Sequence, residues 1–280
     1  MSLWGTYLEE LLDVSFNDVS LQSVTGGQIT GHNFEEFPEI RSAQNPVSSA
    51  HRSITTGRYF IAKHATINIA VEGELHDLQA ILSRLKQLIQ YTNKDLVLKR
   101  GVPKLVDGEY VLNDTDDITF RAANVVAVDM GDTMAKGKVI SIEFTIDDPV
   151  GIGSTEQVLL NSSGVTTNMT TIDLTTVDLQ GTFFRQYPVF EFTINSVTNE
   201  ESSTIQIKNG FNQITISQPF KTDDMLVVDT DEMKVFLNDE LIDFDGALPV
   251  IFDRGSVIYI SDTFEARDMD IKVSTKPRYI

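Results

Sequence analysis

Thr66-Ile67-Asn68-Ile69-Ala70-Val71-Glu72-Gly73, running into Glu74–Tyr91 (ELHDLQAILSRLKQLIQY), is where the hydrophobic period of the chain changes from two to 3.6. In the first half Ile67, Ile69 and Val71 alternate with Thr66, Asn68 and Ala70, the pattern of a half-buried strand rich in β-branched residues. In the second half apolar residues fall at Leu75, Leu78, Ile81, Leu82, Leu85, Leu88 and Ile89. Steps of three and four put these on one stripe, with His76, Asp77, Arg84, Lys86 and Gln87 largely off it. Gly73 punctuates the start and Asn93 the end. Glu74 and Asp77 early in the helix, and Lys86 late in it, suit the helix dipole. The spacing predicts one amphipathic helix packed on a β-structure.

Working outward, Ile140, Ile142, Phe144 and Ile146 alternate with Val139, Ser141, Glu143 and Thr145, a second half-buried strand. Toward the N-terminus, Leu8, Leu11 and Leu12 have the spacing of a short helical turn. Residues 20–57, rich in Gly, Ser, Thr and Asn with two prolines, read as a long loop or arm holding one strand. The alternation stops at Asp147-Asp148-Pro149-Val150-Gly151-Ile152-Gly153, which suits a domain junction and divides the chain into 1–150 and 151–280. Beyond it come short strand candidates and no helix: Val189–Ile194, Thr204–Ile207, Gln213–Ile216, Met225–Val228, Lys234–Leu237, Val250–Phe252, Val257–Ile260 and Asp270–Val273. Turn residues separate them at intervals typical of an antiparallel sandwich, with a hairpin tip at Leu237-Asn238-Asp239-Glu240-Leu241.

Composition excludes several kinds of chemistry. The 280 residues include no Cys, which rules out a disulfide framework, a thiolate zinc site and a cysteine nucleophile. Lys and Arg number 22 against 41 Asp and Glu, a net charge of −19, so phosphate backbones and anionic membrane surfaces repel the chain. No apolar run reaches the roughly 18 residues that cross a bilayer. The opening residues lack the basic flank and apolar stretch of a signal peptide, so the expectation is synthesis and folding in a cytoplasm.

The search for a reactive constellation returns little. His32, His51, His64 and His76 form no zinc-binding pair at helical spacing, and a surface or structural role is expected for them. There is no Gly-x-Ser-x-Gly and no phosphate-binding Gly-Lys-Ser or Gly-Lys-Thr. Gly151-Ile152-Gly153 opens like a dinucleotide fingerprint but meets Glu156 where glycine is required. Asp229, Asp231 and Glu240 occupy positions 1, 3 and 12 of a Ca²⁺-loop frame whose positions 5 and 6 are Met233 and Lys234, where a ligand and a glycine belong. Asn113-Asp114-Thr115-Asp116-Asp117 reads as a solvated turn. Trp4 is the single tryptophan, a poor endowment for a sugar-cleaving cleft. No catalytic, cofactor-binding or metal-binding residue is nominated, no cofactor is expected, and the chain is read as non-enzymatic.

Four stretches, taken in order, resemble the distal tail protein (Dit) family of phages with long, non-contractile tails. Phe16-Asn17-Asp18-Val19-Ser20 resembles its opening strand and turn. Thr56-Gly57-Arg58-Tyr59, the strand with Ile67, Ile69 and Val71, the helix Leu75–Ile89 and Asp95-Leu96-Val97-Leu98-Lys99-Arg100 resemble its ring-forming belt block. Val139–Ile146 with Asp147-Asp148-Pro149 resembles the exit from that domain. Met225–Asp229, the hairpin around Asn238, Leu248-Pro249-Val250-Ile251-Phe252 and Pro277-Arg278-Tyr279 are similar to its galectin-like domain. Apart from Ser20, Thr56 and Gly57, residues 20–57 match nothing in the family, and residues 154–186 lack its clearer strand markers.

The resemblance implies a mainly β protein with two domains. Residues 1–150 would be a β-sandwich or split-barrel belt domain with one packed helix, and 151–280 a galectin-like antiparallel β-sandwich. It implies a hexameric ring of this chain at the tip of a phage tail, joining the tail-tube protein to the tail hub and receptor-binding proteins and letting DNA pass through its lumen. Specific nucleic-acid binding and membrane insertion are not expected. An acidic lumen would repel passing DNA, and a belt strand offered to a neighbour would remove an exposed sheet edge. Two other readings compete: a tail-tube or tail-completion subunit, and a non-catalytic carbohydrate-binding module resting on the second half.

Overall fold

The computed structural model describes all residues except 1–9, 35–37, 39, 48–51, 107–108, 115–116, 135–136, 178, 180–184, 198–202, 211, 252–255, 266 and 280. Trp4, Leu8, His51, Thr115, Asp116 and Phe252 therefore lie outside the described residues. The chain divides between Ser154 and Thr155 into two compact units, and Tyr279 returns to the first.

The first unit is built on a ten-stranded sheet whose main path runs Val19–Ser20, Glu10–Phe16, Lys94–Val106, Ile118–Met134, Gly137–Ile146, Lys63–Glu72 and Gln28–His32. The strand around Ile67 and the strand around Phe144 are direct antiparallel partners, with Ile142 opposite Ile67 and Ile140 opposite Ile69. Because both alternate with period two, this register puts Ile67, Ile69, Val71, Ile140, Ile142, Phe144 and Ile146 on one face, all buried. Each side chain so removed from water contributes about 1.5–3 kcal/mol. The helix Leu75–Lys86 continues as a 3₁₀ turn, Gln87–Gln90, and packs on the strand Ile118–Met134. Leu78, Leu85 and Leu88 are buried and Ile81 and Leu82 partly so, as the stripe requires. Asn93, at φ 51°, supplies the left-handed residue that turns the chain into the next strand.

Gly151, which looked like half of a dinucleotide fingerprint, has a packing reason. It lies in the strand Gly151–Gly153, paired with the strand Ile118–Met134. A Cβ there would stand 2.4 Å from the Ile118 side chain and 3.0 Å from the Phe120 ring. Gly151→Ala is expected to destabilise the first unit by about 1–3 kcal/mol through overpacking, measured by chemical denaturation.

The second unit is a sandwich. Its six-stranded sheet runs Gln157–Val165, Arg267–Thr275, Val189–Val197, Met225–Asp229, Lys234–Leu237 and Glu240–Leu241. The facing five-stranded sheet runs Met169–Asp173, Val257–Asp262, Ser203–Asn209, Asn212–Gln218 and Asp245–Gly246. Phe190, Phe192, Ile194, Leu226, Val228, Ile271 and Val273 from the first meet Ile205, Ile207, Ile214, Ile216, Ile258 and Ile260 from the second in one buried core. The tip at Asn238-Asp239 is a two-residue turn, with φ 51° and 66° and Leu237 opposite Glu240. Asn17-Asp18, with φ 52° and 63°, makes the same kind of turn between Phe16 and Val19.

Two expectations need correction. Leu11 and Leu12 are not helical: Glu10–Phe16 is a strand that buries Val14 and Phe16. Residues 20–57 are not a long loop. They contain the short helix Leu21–Thr25, the strand Gln28–His32 and most of a ribbon formed by Ile40–Val47 and Arg52–Phe60.

Candidate functional site

The residues that chemistry would use first are dispersed. His64 is exposed, on a sheet face beside Thr145, with Oγ1 3.4 Å from Nδ1. His76 is exposed on the polar face of the helix, 3.1 Å from Asp77 and 3.6 Å from Glu74. His32 is half-buried in the edge strand, 6.0 Å from the Phe34 ring. Among the described residues no group of three or more His, Asp or Glu could hold a metal ion.

The calcium-like frame dissolves into turn chemistry. Asp229 Oδ1 accepts the backbone N–H groups of Asp231 and Glu232 at 2.9 Å each. Asp231 pairs with the buried Arg278 at 2.5 Å, whose guanidinium also stacks 4.6 Å from the Tyr187 ring centroid. Lys234 reaches Glu232 at 2.8 Å. These carboxylates are thus committed to capping a turn and to fixing Arg278, the arrangement expected of an Asp-rich turn between two strands.

Three other polar groupings shape the second unit. Asp262 and Arg267 form an ion pair at 2.7 Å, with side chains only 2% and 1% exposed. Burial pushes the Asp262 carboxyl above its ordinary value, against the pull of Arg267, and burial lowers the Arg267 guanidinium. On the outward face of the six-stranded sheet, Lys272 lies 3.0 Å from both Glu156 and Glu191. Hydrogen bonds from Ser274 and then Lys272 hold Glu156 below the usual carboxylate range, and those with Glu191 and then Glu156 raise Lys272. Asn195 Nδ2 donates to Asp268 and Asp270 at 3.2 and 3.0 Å on the same sheet. These exposed arrangements stiffen a surface; they do not make a pocket.

What the geometry does offer is surface for assembly. In the first unit, Gln28–His32 ends the main sheet path and pairs only with Lys63–Glu72, so its other edge has no strand partner among the described residues. An unpaired edge is a template for another chain. The ribbon Ile40–Val47/Arg52–Phe60 hydrogen-bonds to itself and, among the described residues, joins none of the three larger sheets. In the second unit, Val227, Phe236 and Leu241 are cross-strand neighbours on the outward face of the six-stranded sheet, with Leu241 66% exposed. Tyr259 stands 43% exposed between Thr171 and Lys208 on the opposite sheet. No helix among the described residues is long and apolar enough to cross a membrane. Sequence alone could not locate these edges, because whether a strand lies at an edge depends on pairings remote in the chain.

No family model and no curated protein sequence matches the chain. Solved structures do. A baseplate structure of phage p2 in its activated conformation with Sr aligns with 88% of this chain and 90% of its own at 10% identity, with a TM-score of 0.36. The crystal structure of SPP1 Dit (gp 19.1), described as a paradigm of the hub adsorption apparatus in phages infecting Gram-positive hosts, aligns with 97% of this chain and 100% of its own at a TM-score of 0.62 and 13% identity. The chain therefore has the mainly β fold of SPP1 Dit along almost its whole length.

Proposed function

We propose that this chain is a structural protein of a phage tail. It forms a hexameric ring at the distal end, joins the tail tube to the hub and receptor-binding apparatus, and leaves a lumen through which DNA passes. The observation that carries this reading is the fold it shares with SPP1 Dit over 97% of this chain and 100% of that one. The first unit is the proposed belt, and the second is the proposed galectin-like sandwich. The terminal position of Gln28–His32 on the main sheet path, among the described residues, supports the first assignment, since a ring in which each subunit offers a strand to the next has no exposed edges. The net charge of −19 supports a lumen along which DNA slides without adhering.

Electron microscopy of the negatively stained full-length protein tests the reading. Six-fold rings with a central hole are the expected result. Compact single particles at every concentration, also in the presence of tail-tube protein, would overturn it.

A further inference from the structure

Each sheet of the second unit has two end strands, and three of these four are guarded. Gln157–Val165 is broken by two register shifts, and Glu240–Leu241 and Asp245–Gly246 are two residues long. Bulges and brevity are ordinary means of keeping a sheet edge from pairing with another chain. Met169–Asp173, which ends the five-stranded sheet, has neither. It runs five residues in unbroken register with Val257–Asp262. It also lacks the guarding Lys or Pro: residues 157–172 contain no Asp, Glu, Lys, Arg, His or Pro, in a chain that is 22% charged. The one charge of the strand, Asp173 at its last residue, accepts the N–H and the hydroxyl of Thr175 at 2.9 and 2.6 Å.

The register fixes which backbone groups face the open side. Just beyond the two ends of the strand, Asp262 N–H donates to the Asn168 carbonyl at 3.2 Å and Leu174 N–H to the Ser256 carbonyl at 3.1 Å. Bonded residues alternate along an antiparallel pair, so Thr170 and Ile172 face the neighbouring strand while Met169, Thr171 and Asp173 face away from it. The carbonyls of Met169 and Asp173 accept the hydroxyls of Thr167 and Thr176 at 3.2 and 3.0 Å. The N–H groups of Met169, Thr171 and Asp173 and the Thr171 carbonyl have no partner among the described residues. Donors on every second residue, about 6.7 Å apart at ~3.3 Å per residue, are what an added strand pairs with.

Side chains and charge narrow the partner. Met169 is 63% exposed and Tyr259 43% exposed, and they are diagonal neighbours, since Met169 lies opposite Ser261 and Thr171 opposite Tyr259. The outward side chains of an added strand would cover Met169. Residues 155–278 carry 9 basic against 20 acidic groups, a net of −11. A second copy of this unit is therefore repelled, and a basic segment is favoured.

We propose that Met169–Asp173 is a docking edge that takes an extended, basic segment of another polypeptide as an added strand of the five-stranded sheet. The inference goes beyond the ring reading, because it concerns the second unit alone and needs no ring.

The test uses the full-length protein and a mixture of seven-residue peptides with Lys at both ends and Val, Ile, Thr or Tyr at every position between. The readout is hydrogen exchange resolved to single amides. At ~1 mM peptide the amides of Met169, Thr171 and Asp173 are expected to exchange about fivefold more slowly, and those of Thr170 and Ile172, already bonded within the sheet, to be unchanged. Thr171→Pro removes one outward N–H and no bond of the sheet, and is expected to abolish the slowing at Met169 and Asp173. Thr171→Lys keeps the N–H, adds an edge cation, and is expected to reduce the slowing several-fold. Retained protection at Ile258 and Ile260 shows that each variant is folded. Slowing that is absent, that falls on other strands, or that survives both variants would overturn the proposal. Equal slowing by peptides with Glu in place of Lys would overturn its choice of a basic segment. Slowing that grows with protein concentration without peptide would make a second copy the occupant and overturn it as well.

Discussion

Asp262→Ala is expected to destabilise the second unit by about 3–5 kcal/mol, measured by hydrogen exchange at the core amides of Ile258, Ile260 and Ile271. Asp262 ends one strand of the five-stranded sheet, and Arg267 begins a strand of the six-stranded sheet. Their 2.7 Å contact therefore stitches the two layers together at one end of the sandwich. Around it, Asp262 Oδ1 accepts the Phe264 N–H at 3.2 Å and Arg267 donates to the Thr167 carbonyl. Phe264 in turn packs 5.6 Å from Phe220. Removing the carboxylate strands a guanidinium that is 1% exposed, and Arg267 Nε and Nη1 already lack acceptors among the described residues. The cost of a buried, uncompensated charge sets the size of the effect. Asp262→Leu with Arg267→Met removes both charges and is expected to return stability to within about 1 kcal/mol of the parent or above it. If the single and double variants are equally damaged, the apolar packing around Phe264, and not the charge, holds this end together.

The same pair gives a signed dependence on pH. Burial raises the folded-state pKa of Asp262, so folding takes up a proton between the unfolded and folded values. This group's contribution to stability is thus full below its ordinary value and is lost as pH rises through the raised one. Carboxylates whose folded pKa is lowered, such as Glu156, run the other way. Asp262→Asn, which keeps an acceptor for the Phe264 N–H, is therefore expected to lose stability more steeply than the parent on acidification from neutral pH.

How much of this was legible beforehand depended on how local the cause was. The helix was visible because seven apolar side chains recur at one face over about four turns. The partner strands at Ile67 and Phe144 were visible because a strand with one buried face must alternate. The hairpin tip was visible because Asn238 and Asp239 tolerate positive φ better than most residues. The elements that escaped notice have no such marker. Gln157–Val165 lies at an edge of its sheet, is interrupted by two register shifts and leaves Val158 half exposed, so its residues do not alternate cleanly. Ile40–Val47 and Arg52–Phe60 belong to a ribbon outside the large sheets, and their Ser, Thr, Asn and Gly content reads as loop. Leu11 and Leu12 mimic helical spacing but lie in the strand Glu10–Phe16, where a register shift between Leu11 and Asp13 breaks the alternation that Val14 and Phe16 show. The surfaces proposed for assembly were the least legible, because an edge is created by which strand fails to find a neighbour.

Phe144→Ala is expected to destabilise the first unit by about 3–5 kcal/mol, near the upper end of that range. Phe144 is 1% exposed, and its ring meets Phe16 at 5.8 Å and 58°. Its cross-strand neighbours are Ala65 on one side and Val125 on the other. Ala65 is the reason for expecting a large effect. The phenyl ring fills volume that so small a partner leaves empty, and a β-sheet pinned by Ile142 opposite Ile67 cannot collapse into the gap. Val126 is the matched control. It is the extra residue in the bulge opposite Glu143 and Phe144, is 50% exposed, and on conversion to Ala is expected to change stability by no more than about 0.5 kcal/mol. The readout is hydrogen exchange at Ile67, Ile140 and Ile142, because two compact units can unfold in separate transitions and blur a single midpoint. A cost below about 1 kcal/mol would show that the sheet relaxes around Phe144. A pliant sheet would not hold the Gln28–His32 edge at a fixed place for a neighbour to pair with, so the stiffness measured at Phe144 bears directly on whether this unit can close a ring.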